Sequence, residues 1–220
     1  MMNEVRIPAG RATLDGNLSI PENATALVLF VHGSGSSRHS PRNQFVARTL
    51  NNAGLGTLLF DLLTPEEEAI DARTAELRFN IGLLAERLVH ATKWATRQEQ
   101  THDLRIGHFG SSTGGGAALV AAAAEGPQDV GAVVSRGGRP DLAGEALPKV
   151  RAPTLLIVGG NDDVVIELNE QARDRMRCEV KLEIVPGATH LFEEPGALET
   201  VAKLASDWFL LHAAGSAGPH

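Results

Sequence analysis

The run Leu104-Arg105-Ile106-Gly107-His108-Phe109-Gly110-Ser111-Ser112-Thr113-Gly114 restricts the possible folds of this chain more than any other. A short apolar stretch enters it and an alanine-rich stretch from Gly115 to Ala124 leaves it, so the order reads strand, tight turn, helix. The turn carries G-x-S-x-G, with Ser112 between Gly110 and Gly114. That spacing lets the backbone bend sharply beneath the serine. Small residues two positions to either side avoid collision with neighbouring chain, and the hydroxyl is left exposed at the sheet edge. The helix behind it points its positive N-terminal end at the same place. Three fixed positions in five make a weak pattern alone, and the surrounding chain decides what it means.

That surrounding chain alternates strands with helices. Ala26 to Val31 is a continuous apolar run, as expected of a strand buried on both faces. Thr57–Asp61, Leu104–Phe109, Gly131–Ser135, Thr154–Val158 and Val180–Val185 read as further strands. Between them, Ser40-Pro41 opens a helix that ends at Gly54. Thr64-Pro65-Glu66-Glu67 has capping-box spacing and starts a helical pattern running to about Gln98, with a break expected over residues 78–82. A helix is expected over roughly 165–176, and Leu198, Val201, Leu204, Trp208 and Leu211 line one face of a closing helix. Residues 4–8 and 12–20 alternate around Gly10 and Gly16 and suggest an N-terminal antiparallel pair. The fold class is therefore α/β, a mostly parallel sheet with helices on both faces. At 220 residues the expectation is one domain over residues 1–212, with the small, polar residues 213–220 as a disordered tail.

The bulk composition narrows the partners. A chain with 43% hydrophobic and 21% charged residues is an ordinary globular one. A net charge of −7 argues against nucleic acid or an anionic membrane surface. The one cysteine, Cys178 in a charged stretch, rules out an internal disulfide framework and fits a reducing compartment. Residues 1–10 show no apolar signal region and no run is long enough to span a membrane, so the expected location is cytoplasmic.

In a parallel sheet, ligands bind outside the carboxyl ends of the strands. Gly159-Gly160-Asn161-Asp162-Asp163 follows one strand, and Pro186-Gly187-Ala188-Thr189-His190 follows the last. A serine, an acid and a histidine thus fall at three strand ends in that order. A serine hydroxyl becomes a nucleophile when an imidazole takes its proton, and a carboxylate on the other ring nitrogen fixes the tautomer. The oxyanion that forms needs two backbone N–H donors, which Thr113 and Ser34 can supply. Asp162 and Asp163 both suit the acid by position. Arg136 or Arg139, in the loop Ser135-Arg136-Gly137-Gly138-Arg139, could hold a substrate carboxylate, or could be solvated arginines in a glycine loop. His32 and His108 are expected as structural neighbours of the loops, and Arg38 and Arg42 at the surface. A rival reading takes Gly33-Ser34-Gly35 and the strand-ending Asp61 as nucleotide-binding features. G-x-G-x-x-G would need glycine at Arg38, however, and no phosphate-loop motif occurs. A non-catalytic binding protein on the same fold is a third reading, which a serine inert toward organophosphates would mark.

Taken together, His32-Gly33-Ser34-Gly35, Gly110-Ser111-Ser112-Thr113-Gly114, Leu156-Ile157-Val158-Gly159-Gly160-Asn161-Asp162 and Gly187-Ala188-Thr189-His190-Leu191-Phe192 resemble the α/β-hydrolase superfamily, in its small lidless dienelactone-hydrolase-like branch. The resemblance implies an α/β-hydrolase fold without a cap domain. It implies a triad of Ser112, Asp162 and His190, because the family's G-x-D-x-x-V reads Gly160 to Val165 and selects Asp162. It implies an oxyanion hole from Ser34 and Thr113, no cofactor or metal, and a small-molecule ester as partner. Dienelactone hydrolases proper use a cysteine nucleophile; serine at position 112 points instead to a serine esterase acting on small carboxylic esters or lactones. Residues 136–153, where larger relatives insert a cap, leave room for a loop and one short helix. Only the segment 65–98 could cover the site.

Overall fold

The computed structural model describes residues 2–214. Its strands are β1 (Met2–Ala9), β2 (Ala12–Ser19), β3 (Ala26–Val31), β4 (Gly56–Phe60), β5 (Arg105–Ser111), β6 (Val130–Arg136), β7 (Thr154–Gly159) and β8 (Val180–Val185). They form one eight-stranded sheet in the order β1-β2-β4-β3-β5-β6-β7-β8. β1 and β2 pair antiparallel, β2 meets β4 antiparallel, and every pairing from β4 to β8 is parallel.

The helices are α1 (Pro41–Asn52), α2 (Pro65–Thr74), α3 (Ile81–Ala95), α4 (Thr113–Glu125), α5 (Asp163–Arg175) and α6 (Ala197–His212). The sheet faces explain why β3 is apolar throughout. Leu27, Leu29 and Val31 pack into the core under α3 and α4, with Leu84, Leu88, Ala118 and Ala121. Ala26, Val28 and Phe30 pack into the opposite core under α1 and α6, with Val46, Leu50, Val201 and Phe209. A strand between two helical layers has no face left for water, so period-two alternation disappears.

Both N-terminal signals hold in atomic detail. The Ser40 side chain accepts from the Asn43 amide ahead of Pro41. Thr64 and Glu67 complete a capping box in which each side chain takes the other residue's amide. The long helical pattern breaks where Ala75 turns left-handed (φ 56°), and α3 restarts on an Asn80 cap. Between β6 and β7, Pro140–Lys149 forms short 3₁₀ turns that kink at Gly144. This is the α/β-hydrolase fold without a cap. Within the expected tail, Ala213 is fully buried and its amide donates to the Phe209 carbonyl. Residues 215–220 lie outside the described residues. No described helix is long and apolar enough to cross a membrane.

Candidate active site

Ser112 sits between the end of β5 and the first turn of α4 with φ 52° and ψ −123°. A non-glycine residue held there stores roughly 1–3 kcal/mol of backbone strain. The flanking glycines explain how the bend closes. A Cβ on Gly110 would lie 2.4 Å from the Gly114 carbonyl oxygen, and one on Gly114 only 2.1 Å from that of Val31. Only glycine permits this approach of α4 to β3 and β5. The Ser112 carbonyl accepts from the amides of Gly115 and Arg139, both at 3.0 Å, which ties the turn to the chain beyond β6.

His190 follows β8 through the turn at Gly187, and Asp162 follows β7. His190 Nδ1 lies 2.7 Å from Asp162 Oδ2. An ionised carboxylate can only accept, so against an ionised Asp162 the ring donates from Nδ1. Asp162 occupies the N-cap position of α5, yet its side chain makes no capping bond. It is turned to the imidazole instead. Asp163 is the first residue of α5, where its charge faces the helix N-terminus.

Ser112 and His190 flank the end of β6. The Ser112 amide donates to the Arg136 carbonyl at 3.3 Å. At the next residue, a Cβ on Gly137 would sit 3.5 Å from His190 Cε1 and 3.2 Å from the His190 carbonyl oxygen. Hydrogen bonding joins His190 to Asp162, and none joins Ser112 Oγ to His190 among the described residues.

The two oxyanion-hole candidates, 79 residues apart, meet directly. The Ser34 amide donates to Thr113 Oγ1 at 3.1 Å, and the two hydroxyls are 3.0 Å apart. An oxyanion would share or replace the Thr113 hydroxyl as acceptor for the Ser34 amide. Gly33 makes the approach possible, since a Cβ there would be 3.0 Å from Ser112 Cβ. His32 braces this loop from behind. The Leu62 amide donates to its Nε2 at 3.1 Å and its Nδ1 bonds the Gly33 carbonyl. Burial holds its pKa down, so the ring is neutral and structural.

Of the two loop arginines, Arg139 has a carboxylate partner and Arg136 has none among the described residues. Arg139 is bound in bidentate fashion to Asp141, at 2.8 and 2.7 Å. Arg136 is buried, with Nη2 3.4 Å from Asn43 Oδ1 and its guanidinium over the Phe192 ring. Burial, with Arg42 nearby, lowers its pKa to about 10. Arg38, expected at the surface, is mostly covered and paired with Asp61 through both its amide and its guanidinium. That pairing also occupies the carboxylate which the nucleotide reading assigned to a ribose.

Sequence reasoning missed the cavity beside the oxyanion loop. It measures about 490 Å³ and lies between residues 32–41 and the α2 region, with Leu62, Leu63 and Leu84 as its apolar floor. Glu68, Asp71 and Arg78 line its far wall. Their spacing in the sequence is that of any solvated helix face, and only the fold turns them toward Ser34.

Residues 14–210 match the profile of the Dienelactone hydrolase family. A dienelactone hydrolase from Anabaena variabilis ATCC 29413 superposes with a TM-score of 0.95 at 60% identity, over 97% of this chain and 98% of that one. Est1E from Butyrivibrio proteoclasticus, also solved with ferulic acid bound, shares the fold at a TM-score of 0.78 and 18% identity, covering 94% and 98% of the two chains. Two Mycobacterium tuberculosis proteins, from strains CDC 1551 and H37Rv, are 58% identical over 212 residues and are named as phosphoribosyl transferases. This chain is covered to 96% but spans only 47% of their length.

Proposed function

The chain belongs to the dienelactone hydrolase family, and from that premise we propose that it is a serine hydrolase cleaving small carboxylic esters or lactones through an acyl-enzyme intermediate. The observation that carries this is the 2.7 Å contact between His190 Nδ1 and Asp162, beside a serine held in a strained turn. Ser112 Oγ attacks the carbonyl while His190 Nε2 takes its proton, and Asp162 stabilises the imidazolium that results. The amides of Thr113 and Ser34 receive the oxyanion. His190 then returns the proton to the leaving alcohol, and a water activated by the same imidazole releases the acid. The transferase name belongs to proteins about twice as long as this chain, and the catalytic groups named here lie wholly within the segment shared with them.

The test is ester turnover by the Ser112→Ala variant. Loss of such a nucleophile lowers kcat by roughly a million-fold. Near-normal turnover in that variant would remove Ser112 from the mechanism.

A further inference from the structure

The cavity between residues 32–41 and the α2 region is lined by Gly33 and Ser34, and Gly33 lies against Ser112, so the cavity adjoins the serine without Ser112, Asp162 or His190 in its own lining. Its charges do not balance. Asp71 is nearly buried and binds Arg78 Nε at 2.6 Å, while also accepting from the amides of Leu77 and Arg78. Arg38 is bound to Asp61 behind the loop. Each pair is neutral. Glu68 remains, a carboxylate on the cavity wall with no cation in ion-pair contact among the described residues. Desolvation raises its pKa, with Asp61 and Asp71 adding to the effect and Arg38 opposing it. His39 is the remaining titratable group on the lining. Arg78 still presents an N–H edge, Nη1, 3.8 Å from where a Gly35 Cβ would lie. Besides its serine hydroxyls and His39, the wall therefore offers a guanidinium already paired with Asp71 and a carboxylate with no ion-pair partner.

We propose that this cavity is a charge-selective subsite. It accepts a neutral, hydroxyl-bearing or cationic part of the substrate and excludes one bearing a carboxylate, with Glu68 as the specificity-determining residue. The inference rests on the ester-hydrolase reading of Ser112. It differs from the expectation that a substrate carboxylate is held through Arg136 or Arg139, neither of which lines this cavity.

The experiment uses two matched ester series. On the alcohol side these are 3-trimethylammoniophenyl, 3-tert-butylphenyl and 3-carboxyphenyl acetates. On the acyl side they are p-nitrophenyl esters of matched cationic, neutral and anionic chains. The readout is the anionic-to-neutral ratio of kcat/KM in wild type, Glu68→Gln and Glu68→Lys, so intrinsic ester reactivity and any general loss of activity cancel. In the series whose variable part enters the cavity, Glu68→Gln should raise that ratio roughly five- to tenfold, as removal of one like charge at partly screened range would. Glu68→Lys should raise it further and lower the cationic-to-neutral ratio. The differences should shrink as ionic strength increases. Ratios that stay the same in all three proteins, in both series, overturn the subsite while leaving the hydrolase reading intact. An absence of Ser112-dependent turnover of any neutral ester overturns both.

Discussion

The Asp162 carboxylate reaches His190 while Asp163, one residue on, begins the helix, and this difference predicts unequal consequences. Asp162→Asn should lower kcat by about 10⁴-fold, because an amide in place of the carboxylate favours the wrong imidazole tautomer. Asp163→Asn should cost far less, since it removes only a charge at a helix N-terminus. Steady-state kinetics of the two variants decide it, and the reverse ranking would contradict the geometry. That Ser112, His190 and an acid at 162 or 163 each follow a strand was legible in the sequence, while the choice of Asp162 over Asp163 came from the family's G-x-D-x-x-V pattern. The surroundings of the arginines were not legible. An Arg-Gly-Gly-Arg loop reads the same whether its guanidinium groups face solvent, Asp141 or Phe192. Arg38 and Asp61 are 23 residues apart, and nothing in either one's local pattern announces the other.

At the scale of elements, strands and helices were legible wherever packing reinforces local preference: the capping box of α2, the Ser-Pro start of α1 and the apolar run of β3. Contents of the layer between elements were less so. Where α3, β5 and α4 meet, His108 is fully buried and shares a 3.0 Å hydrogen bond with Thr92, and Glu125 Oε2 lies 3.8 Å away. Burial raises the Glu125 pKa to about 8, with Asp129 adding to the effect, and lowers that of His108 to about 3. Both groups are thus neutral over a wide range, and both couple folding to pH. As pH rises from about 4.5 towards 8 the unfolded chain ionises Glu125 while the native state keeps it protonated, so stability falls. As pH drops below about 6.5 the unfolded chain protonates His108 and the native state does not, so stability falls again. Above about pH 6.5 only the Glu125 effect remains, so Glu125→Gln should flatten the decline in Tm between pH 6.5 and 8 relative to wild type, as followed by thermal melts. An unchanged slope would show that Glu125 is already ionised in the fold.

Across the whole molecule, the missing cap sets what the site can bind. Between β6 and β7 there are only the kinked 3₁₀ turns of Pro140–Lys149, so nothing from that side covers Ser112. The α2 region instead walls the cavity laterally, with charged groups opposite an apolar floor. Each methylene that a deep apolar tunnel buries adds about 0.8 kcal/mol of binding, and this site has no such tunnel to supply it. kcat/KM on p-nitrophenyl esters should peak at acetate or butyrate; a maximum at octanoate or longer would mean that the α2 segment closes over the chain. The parallel order of β4 to β8 and the absence of a cap were legible from strand spacing, whereas the lateral wall was not, because it depends on where a surface helix docks. The central claim is that this arrangement activates one serine. Its most direct test is the intact mass of the protein after exposure to a fluorophosphonate, with Ser112→Ala alongside. Wild type should carry a single adduct, mapped to Ser112, and the variant none. An unlabelled wild type, or a variant labelled as readily, would contradict the claim.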